Sequence, residues 1–140
     1  MKLYVLDTDI SGFLQQEHPA IISRIKHLPD EDAVATTIIT FGEDLGGWLP
    51  ACRRAADGAA RAVAYARLQH GLEFYREMIV FPFDEQAAQA FDRLRSKYKR
   101  MGTNDLAIAA ITMSLNGVLV TRNIVDFQRI SDLVLEDWLK

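Results

Sequence analysis

Cysteine is nearly absent. Cys52 stands alone among 140 residues, so neither an intrachain disulfide nor a multi-cysteine zinc site is available. Histidine is almost as scarce, and His18, His27 and His70 lie far apart at none of the spacings that ligate a metal. There is no Ser/Gly-rich linker, no low-complexity tract and no internal repeat. No apolar run approaches the ~18 residues of a membrane span. The opening Lys2-Leu3-Tyr4-Val5-Leu6 is too short for the core of a signal peptide. Positive charge is in slight deficit: 16 Lys and Arg face 19 Asp and Glu, a formal charge of -3, so the basic signature of a nucleic-acid binder is missing. These absences leave a soluble, reduced, cytoplasmic protein as the expectation. With 49% hydrophobic and 25% charged residues, the composition is that of a folded chain rather than a disordered one. The length predicts one domain, residues 1–140, able to bury roughly two-thirds of its extended-state surface.

Hydrophobic patterning alternates between strands and helices. Leu3–Leu6 is a short unbroken apolar run, as expected of a strand buried on both faces. Asp7-Thr8-Asp9 supplies N-cap candidates for a helix over Ile10–Leu14. Pro19 suits a first helical turn, with Ile21, Ile22, Ile25 and Leu28 on one face. Ala33–Thr36 reads as a second strand, and Thr37 caps a helix to about Trp48. A long helix follows around Gly58–Arg76, since Ala and Arg are strong helix formers. Pro82 limits the β-rich Ile79–Phe83 to a short or edge strand. Asp84 caps an amphipathic helix whose stripe is Ala87, Phe91, Leu94 and Tyr98. Asn104 is the expected cap of Asp105–Leu115, which is apolar nearly all round and therefore buried. Asn116-Gly117 should end it with a left-handed glycine. Val118–Val120 and Leu133–Leu135 are the remaining strands, separated by a loop with one helical turn. Strands alternating with helices imply an α/β fold with a parallel sheet covered on both faces.

Ligands of such sheets gather outside the carboxyl ends of the strands. Asp7 directly follows the first strand. Glu43 lies about two turns into the helix after the second. Asp105 opens the buried helix, and Thr121, Asn123 and Asp126 follow Val118–Val120. No lysine or histidine is among them. Taken singly, each acid has an ordinary structural use: Asp7 as a helix cap, Asp105 as a complement to a helix dipole, Asp126 on a solvated loop, Glu43 facing water. Taken together they pose a problem. Carboxylates converging to ~5 Å would cost on the order of 3 kcal/mol per pair at an effective dielectric of about 20, so the cluster must take up protons or cations. Oxygen donors without Cys or His favour the hard ions Mg²⁺ or Mn²⁺.

Four blocks carry a family resemblance: Val5-Leu6-Asp7-Thr8-Asp9, Thr37-Ile38-Ile39-Thr40-Phe41-Gly42-Glu43, Gly102-Thr103-Asn104-Asp105-Leu106-Ala107-Ile108-Ala109-Ala110, and Val120-Thr121-Arg122-Asn123-Ile124-Val125-Asp126-Phe127. They resemble the PIN domain, and most of all the VapC-type toxins of prokaryotic toxin–antitoxin pairs. The resemblance runs over nearly the whole chain, to Leu135-Glu136-Asp137-Trp138, and the last two blocks are its specific part. It implies a three-layer α/β/α sandwich with a mostly parallel sheet, a Mg²⁺ or Mn²⁺ site, ribonuclease activity in the prokaryotic cytoplasm, a homodimer, and a small antitoxin that blocks the site. Asp7, Glu43 and Asp105 match the invariant family acids, and Asp126 the more variable fourth. Thr8, Asp9, Thr121 and Asn123 are supporting positions. The chain departs from the family where Asp9 replaces a common Asn. It departs again in Gly42-Glu43-Asp44-Leu45-Gly46-Gly47, which is richer in glycine and acid than the usual pattern.

Phosphodiester hydrolysis needs an activated water and a shield for developing negative charge, and a metal ion supplies both. Acids holding such an ion would repel RNA without it, so basic residues at the rim must steer the strand. Arg53, Arg54, Arg61, Arg67 and the Arg93–Arg100 cluster are the candidates, with solvated helix faces as their ordinary alternative. Trp48 and Tyr65 are candidates for a groove between subunits or for the antitoxin, with core or boundary packing as their default use, and Phe13, Trp48 and Leu49 read as exposed near the site. Two rival readings remain. Asp7-Thr8-Asp9 after an apolar strand also fits a haloacid-dehalogenase-like phosphatase, with Asp9 as general acid–base. However, the chain is short for that fold, and Asn104-Asp105 follows Lys99-Arg100-Met101-Gly102 rather than a strand. The other rival is a PIN-like module that only binds.

Overall fold

The computed structural model describes all 140 residues. Five strands, β1 (Leu3–Leu6), β2 (Ala33–Thr37), β3 (Ile79–Phe81), β4 (Val118–Val120) and β5 (Val134–Glu136), form one sheet in the order β3-β2-β1-β4-β5. All four pairings are parallel, with Val5 opposite Ala35 on one side and Leu119 on the other. The chain builds outward from β1 through β2 to β3, then returns to the opposite side of β1 for β4. The β1–β4 seam is therefore the point where the winding direction reverses.

Seven helices cover the sheet: α1 (Thr8–Gln15), α2 (Pro19–Lys26), α3 (Ile38–Arg54), α4 (Gly58–Glu77), α5 (Glu85–Lys97), α6 (Thr103–Ser114) and α7 (Ile124–Phe127). Strand alternation sorts the core into two halves. Tyr4, Leu6, Val118 and Val120 face Ile10, Ile21 and Trp138 on one side. Leu119 faces Ala90, Leu94, Leu106, Ile108, Ala109, Ala110 and Phe127 on the other. The parallel sheet covered on both faces that the patterning implies, and the α/β/α sandwich that the family resemblance implies, are borne out, and the sheet is wholly parallel. α6 is buried continuously from Leu106 to Thr112, and the Thr112 hydroxyl is satisfied by donating to the Ile108 carbonyl at 2.8 Å.

Several boundaries differ from the sequence reading. α3 runs through Pro50 to Arg54 rather than stopping near Trp48, packed along α4 as a helical hairpin. α6 begins at Thr103 with Gly102 at its cap, so Asn104 is a first-turn residue and Asp105 the third residue of the helix. The left-handed residue after α6 is Asn116, at φ 53°, and no glycine has positive φ. Asparagine tolerates that conformation through its short polar side chain. Gly117 is needed for closeness instead, because a Cβ there would meet the Leu3 carbonyl at 3.2 Å. The last strand is Val134–Glu136, one residue later than expected. No helix is long and apolar enough to cross a membrane.

The α3–α4 hairpin closes on a second glycine. A Cβ at Gly71 would lie 2.2 Å from two ring atoms of Trp48, whereas one at Gly12, inside α1, would meet nothing within 4 Å. Gly71→Ala should therefore lower stability by about 1–2 kcal/mol, the ring displacement outweighing the gain in helix propensity. Gly12→Ala should raise it by about 0.5–1 kcal/mol. Denaturant midpoints of the two variants, moving in opposite directions, are the check.

Candidate functional site

The acids assemble where the winding direction reverses. β1 delivers Asp7, whose amide donates to the Val120 carbonyl at 3.1 Å and so fixes it against the end of β4. Its carboxylate caps α1, Oδ1 accepting from the Ile10 amide at 3.0 Å, and receives a hydrogen bond from the Thr121 side chain. Asp7 is 8% exposed. Burial is the main cause of a carboxyl pKa pushed up to about 6, with Asp9 and Asp105 adding repulsion against the lowering effect of its two hydrogen bonds. Asp105, on the first turn of α6, is also shifted upward, first by burial and then by the charges of Glu43, Asp126 and Asp9.

The supporting residues hold the others. Thr8 donates to Glu43 Oε1 at 2.6 Å and lies 3.2 Å from the Thr40 hydroxyl, tying α1 to α3 beside the site. Thr121 Oγ1 accepts from the Asn123 amide at 2.9 Å, and Asn123 Nδ2 donates to Asp126 Oδ2 at 3.0 Å, so the β4–α7 turn presents Asp126. Asp9 turns to the rim, where its exposed carboxylate pairs with Arg122 Nε at 3.3 Å. The Arg122 guanidinium in turn lies over Phe13, 5.3 Å from the ring centre. All four sequence-selected acids thus share one electrostatic neighbourhood. They do not close into a compact chelate: no three acidic, histidine or cysteine side chains group tightly enough to hold an ion as they stand. Glu43 is instead taken by Thr8, and Asp9 by Arg122.

A second network escaped the sequence reading. Asp44, next to Glu43 in sequence, accepts from Gln15 Nε2 at 2.9 Å and from the Tyr75 hydroxyl. Arg67 donates to Gln15 Oε1 at 3.1 Å and lies over the Trp48 ring at 4.7 Å. The Tyr75 hydroxyl is strongly held in its protonated form, by burial first and the Asp44 carboxylate second. This network anchors α3 to α1 and α4 through the residue next to Glu43. Asp44 gave no signal beyond its charge, because its partner lies 31 residues away. Phe41, Leu45, Trp48, Leu49, Tyr65 and Leu72 line an apolar groove of about 400 Å³ on the same hairpin. Trp48 and Tyr65 share this groove with Leu49; Leu49 is exposed as expected, whereas Trp48 and Phe13 are half-buried, and Phe13 lies apart beneath Arg122. Cys52 is buried and free.

No protein-family model matches the chain. It is 32% identical over 139 residues to "Ribonuclease VapC1" of Haemophilus influenzae, covering 99% of both chains. The chain belongs to the VapC ribonuclease family. Its fold matches the solved VapBC-1 structure from nontypeable Haemophilus influenzae with a TM-score of 0.77 and 27% identity over 99% of both chains. VapBC-5 from Mycobacterium tuberculosis, described as a member of the VapBC family of toxin-antitoxin systems, matches with a TM-score of 0.63 and 26% identity, over 98% of this chain and 99% of that one.

The raised Asp7 pKa fixes a sign for stability. Its carboxyl ordinarily titrates at 3.8 and here at about 6, so the fold is favoured while the group is protonated and loses stability as pH rises across that window. Asp7→Asn keeps the α1 cap and removes the charge. In metal-free protein its advantage over the parent should grow from near zero below about pH 4 to about 3 kcal/mol above about pH 7. Thermal unfolding in EDTA across a pH series measures it. A flat difference would show that Asp7 titrates normally.

Proposed function

We propose that this protein is a metal-dependent ribonuclease, the toxin of a toxin–antitoxin pair, with Asp7, Glu43, Asp105 and Asp126 as its ion-holding acids. The observation that carries the reading is the set of acids from β1, α3, α6 and α7 at the strand-reversal seam, two of them with raised pKa and no Lys or Arg among them to neutralise the charge. An all-oxygen donor set short of positive charge suits Mg²⁺ or Mn²⁺. Such an ion lowers the pKa of water and offsets charge on phosphate oxygens. The chain's own contributions are positional. Asp7 is fixed by β4 and the α1 cap, Glu43 is delivered by α3, and Asn123 orients Asp126.

The relatives named as ribonucleases support RNA as the substrate, and those solved as VapBC support a small antitoxin partner. The α3–α4 groove, with Tyr65 50% and Leu72 48% exposed, offers apolar surface of the kind a protein partner covers. A homodimer is proposed on the family resemblance, and cytoplasmic action on the location of the RNA.

Purified protein should cleave RNA with Mg²⁺ or Mn²⁺ and lose that activity in excess EDTA. Asp7→Asn, Glu43→Gln and Asp105→Asn should each reduce the rate by at least about 10²-fold while remaining folded. Asp9→Asn should stay within several-fold of the parent, because Asp9 sits at the rim with Arg122. Gel-based cleavage assays with matched circular dichroism decide this. Turnover of a small phosphomonoester that is lost in Asp9→Asn would favour the phosphatase chemistry instead.

A further inference from the structure

The α5–α6 junction carries a second charged surface that the acids do not account for. Of the basic cluster on α5, Arg95 is committed to the fold. It donates to the carbonyls of Lys99 and Met101 at 3.3 and 3.1 Å and to Thr103 Oγ1 at 3.0 Å. This ties the connecting loop to the first residue of α6, two positions before Asp105. Lys99 and Arg100 ride on that pinned loop and are exposed. The chain's ion pairs are Arg24–Glu136 and Arg122–Asp9, so neither loop cation has a carboxylate partner.

Arg129 arrives from a separate segment. Its amide donates to the Asp126 carbonyl at 3.4 Å, just after α7. Its side chain lines the same cavity of about 350 Å³ as Lys97, Lys99 and Arg100. In sequence, the loop on one side of this cavity leads into α6, whose first turn carries Asp105, and Arg129 follows α7, which carries Asp126. The adjoining cavity, which shares Lys97 and Tyr98, adds Arg93, with Asp132 as its one acid. Like charges gathered without partners repel one another, and a polyanion relieves that repulsion. Guanidinium groups match phosphate oxygens in a two-pronged geometry. Sequence-tolerant binding of a single strand uses a positively charged concavity that tracks the backbone.

We propose that Lys99, Arg100 and Arg129 grip backbone phosphates of single-stranded RNA beside the scissile bond and hold the strand across the acidic centre. The inference rests on the ribonuclease reading above and adds the positioning residues for its substrate. The other arginines singled out in the sequence have different uses. Arg61 donates to the carbonyls of Cys52 and Ala55 at the end of α3, and Arg67 serves Gln15 and Trp48. Arg53 and Arg54 close α3, about 16 Å of helix rise beyond Glu43.

The test measures binding of a labelled mixed-sequence single-stranded RNA by fluorescence anisotropy over a salt series, in an Asp105→Asn background that is not expected to cleave. Arg100→Gln combined with Arg129→Gln should weaken binding about tenfold. It should also reduce the salt slope by about 1.4, two contacts at about 0.7 each. With Asp105 intact, the same pair of substitutions should raise KM and change kcat at saturating RNA by less than about twofold. Replacing both arginines by lysine should restore most of the affinity, since charge is kept. Arg53→Gln with Arg54→Gln should leave the slope unchanged. Lys99→Gln, read the same way, serves if the double variant does not fold. An unchanged slope and KM in the glutamine variant, with RNA cleaved normally by the parent, overturns the proposal, as does an equal loss from the Arg53/Arg54 pair. A parent protein that neither binds nor cleaves RNA overturns the ribonuclease reading and this inference with it.

Discussion

Asp7 has two duties that oppose each other. Its carboxylate caps α1 while its backbone amide is fixed to the end of β4, and together these place the carboxylate at the strand-reversal seam, where it is buried. Burial there, beside Asp9 and Asp105, makes the ionised form expensive and drives its pKa to about 6. The fold supplies two hydrogen bonds against that cost and no cation. The deficit is local, and it is shared by Asp105 through Glu43 and Asp126. Groups shifted by burial and by one another's charge, gathered at one end of a parallel sheet, mark a functional centre more often than a structural one.

The surrounding residues divide the remaining charge. Thr8 takes Glu43, Asn123 takes Asp126, and Arg122 takes Asp9. On α3, the consecutive acids Glu43 and Asp44 point to different partners. One faces the site and α1, while the other faces Gln15 and Tyr75. The second contact set holds the helix in place so that the first can present its carboxylate. A glycine-rich α3 would otherwise be poorly specified, since Gly42, Gly46 and Gly47 weaken its intrinsic helix preference. Packing of Trp48 onto Gly71 adds to the same anchorage.

The molecule's net negative charge is thus not spread evenly. Acids converge at the seam, and unpaired cations collect at the α5–α6 loop and Arg129 beside it. A nuclease of acidic composition is consistent with this partition, because steering depends on the local field rather than on the sum. Family membership removes the haloacid-dehalogenase-like rival, and the exposed pairing of Asp9 with Arg122 agrees, since that chemistry would need Asp9 as an acid–base beside Asp7.

Local sequence was sufficient for the strands, because unbroken apolar runs such as Leu3–Leu6 and Val118–Val120 can be satisfied only between two covering layers. It was sufficient for the caps at Asp7, Thr37 and Asp84, whose side chains bond amides three residues on. It also nominated Asp7, Asp105 and Asp126, which lie just beyond a strand or at a helix start, and Glu43, which lies about two turns into α3. Gly117 and Asn116 were exchanged in role, since a left-handed φ and a close approach both select small residues and only the backbone path distinguishes them. Asp44 with Tyr75, Asp9 with Arg122, and Arg129 with the α5–α6 loop were decided by tertiary structure alone. Each joins segments far apart in the chain, and neither helical nor strand periodicity carries information across such separations. The sequence by itself determined which side chains bring charge to the end of the sheet. Only the packing of α3, α6 and α7 around β1 and β4 decided which of those charges are paired, which are buried, and which are left open to a ligand.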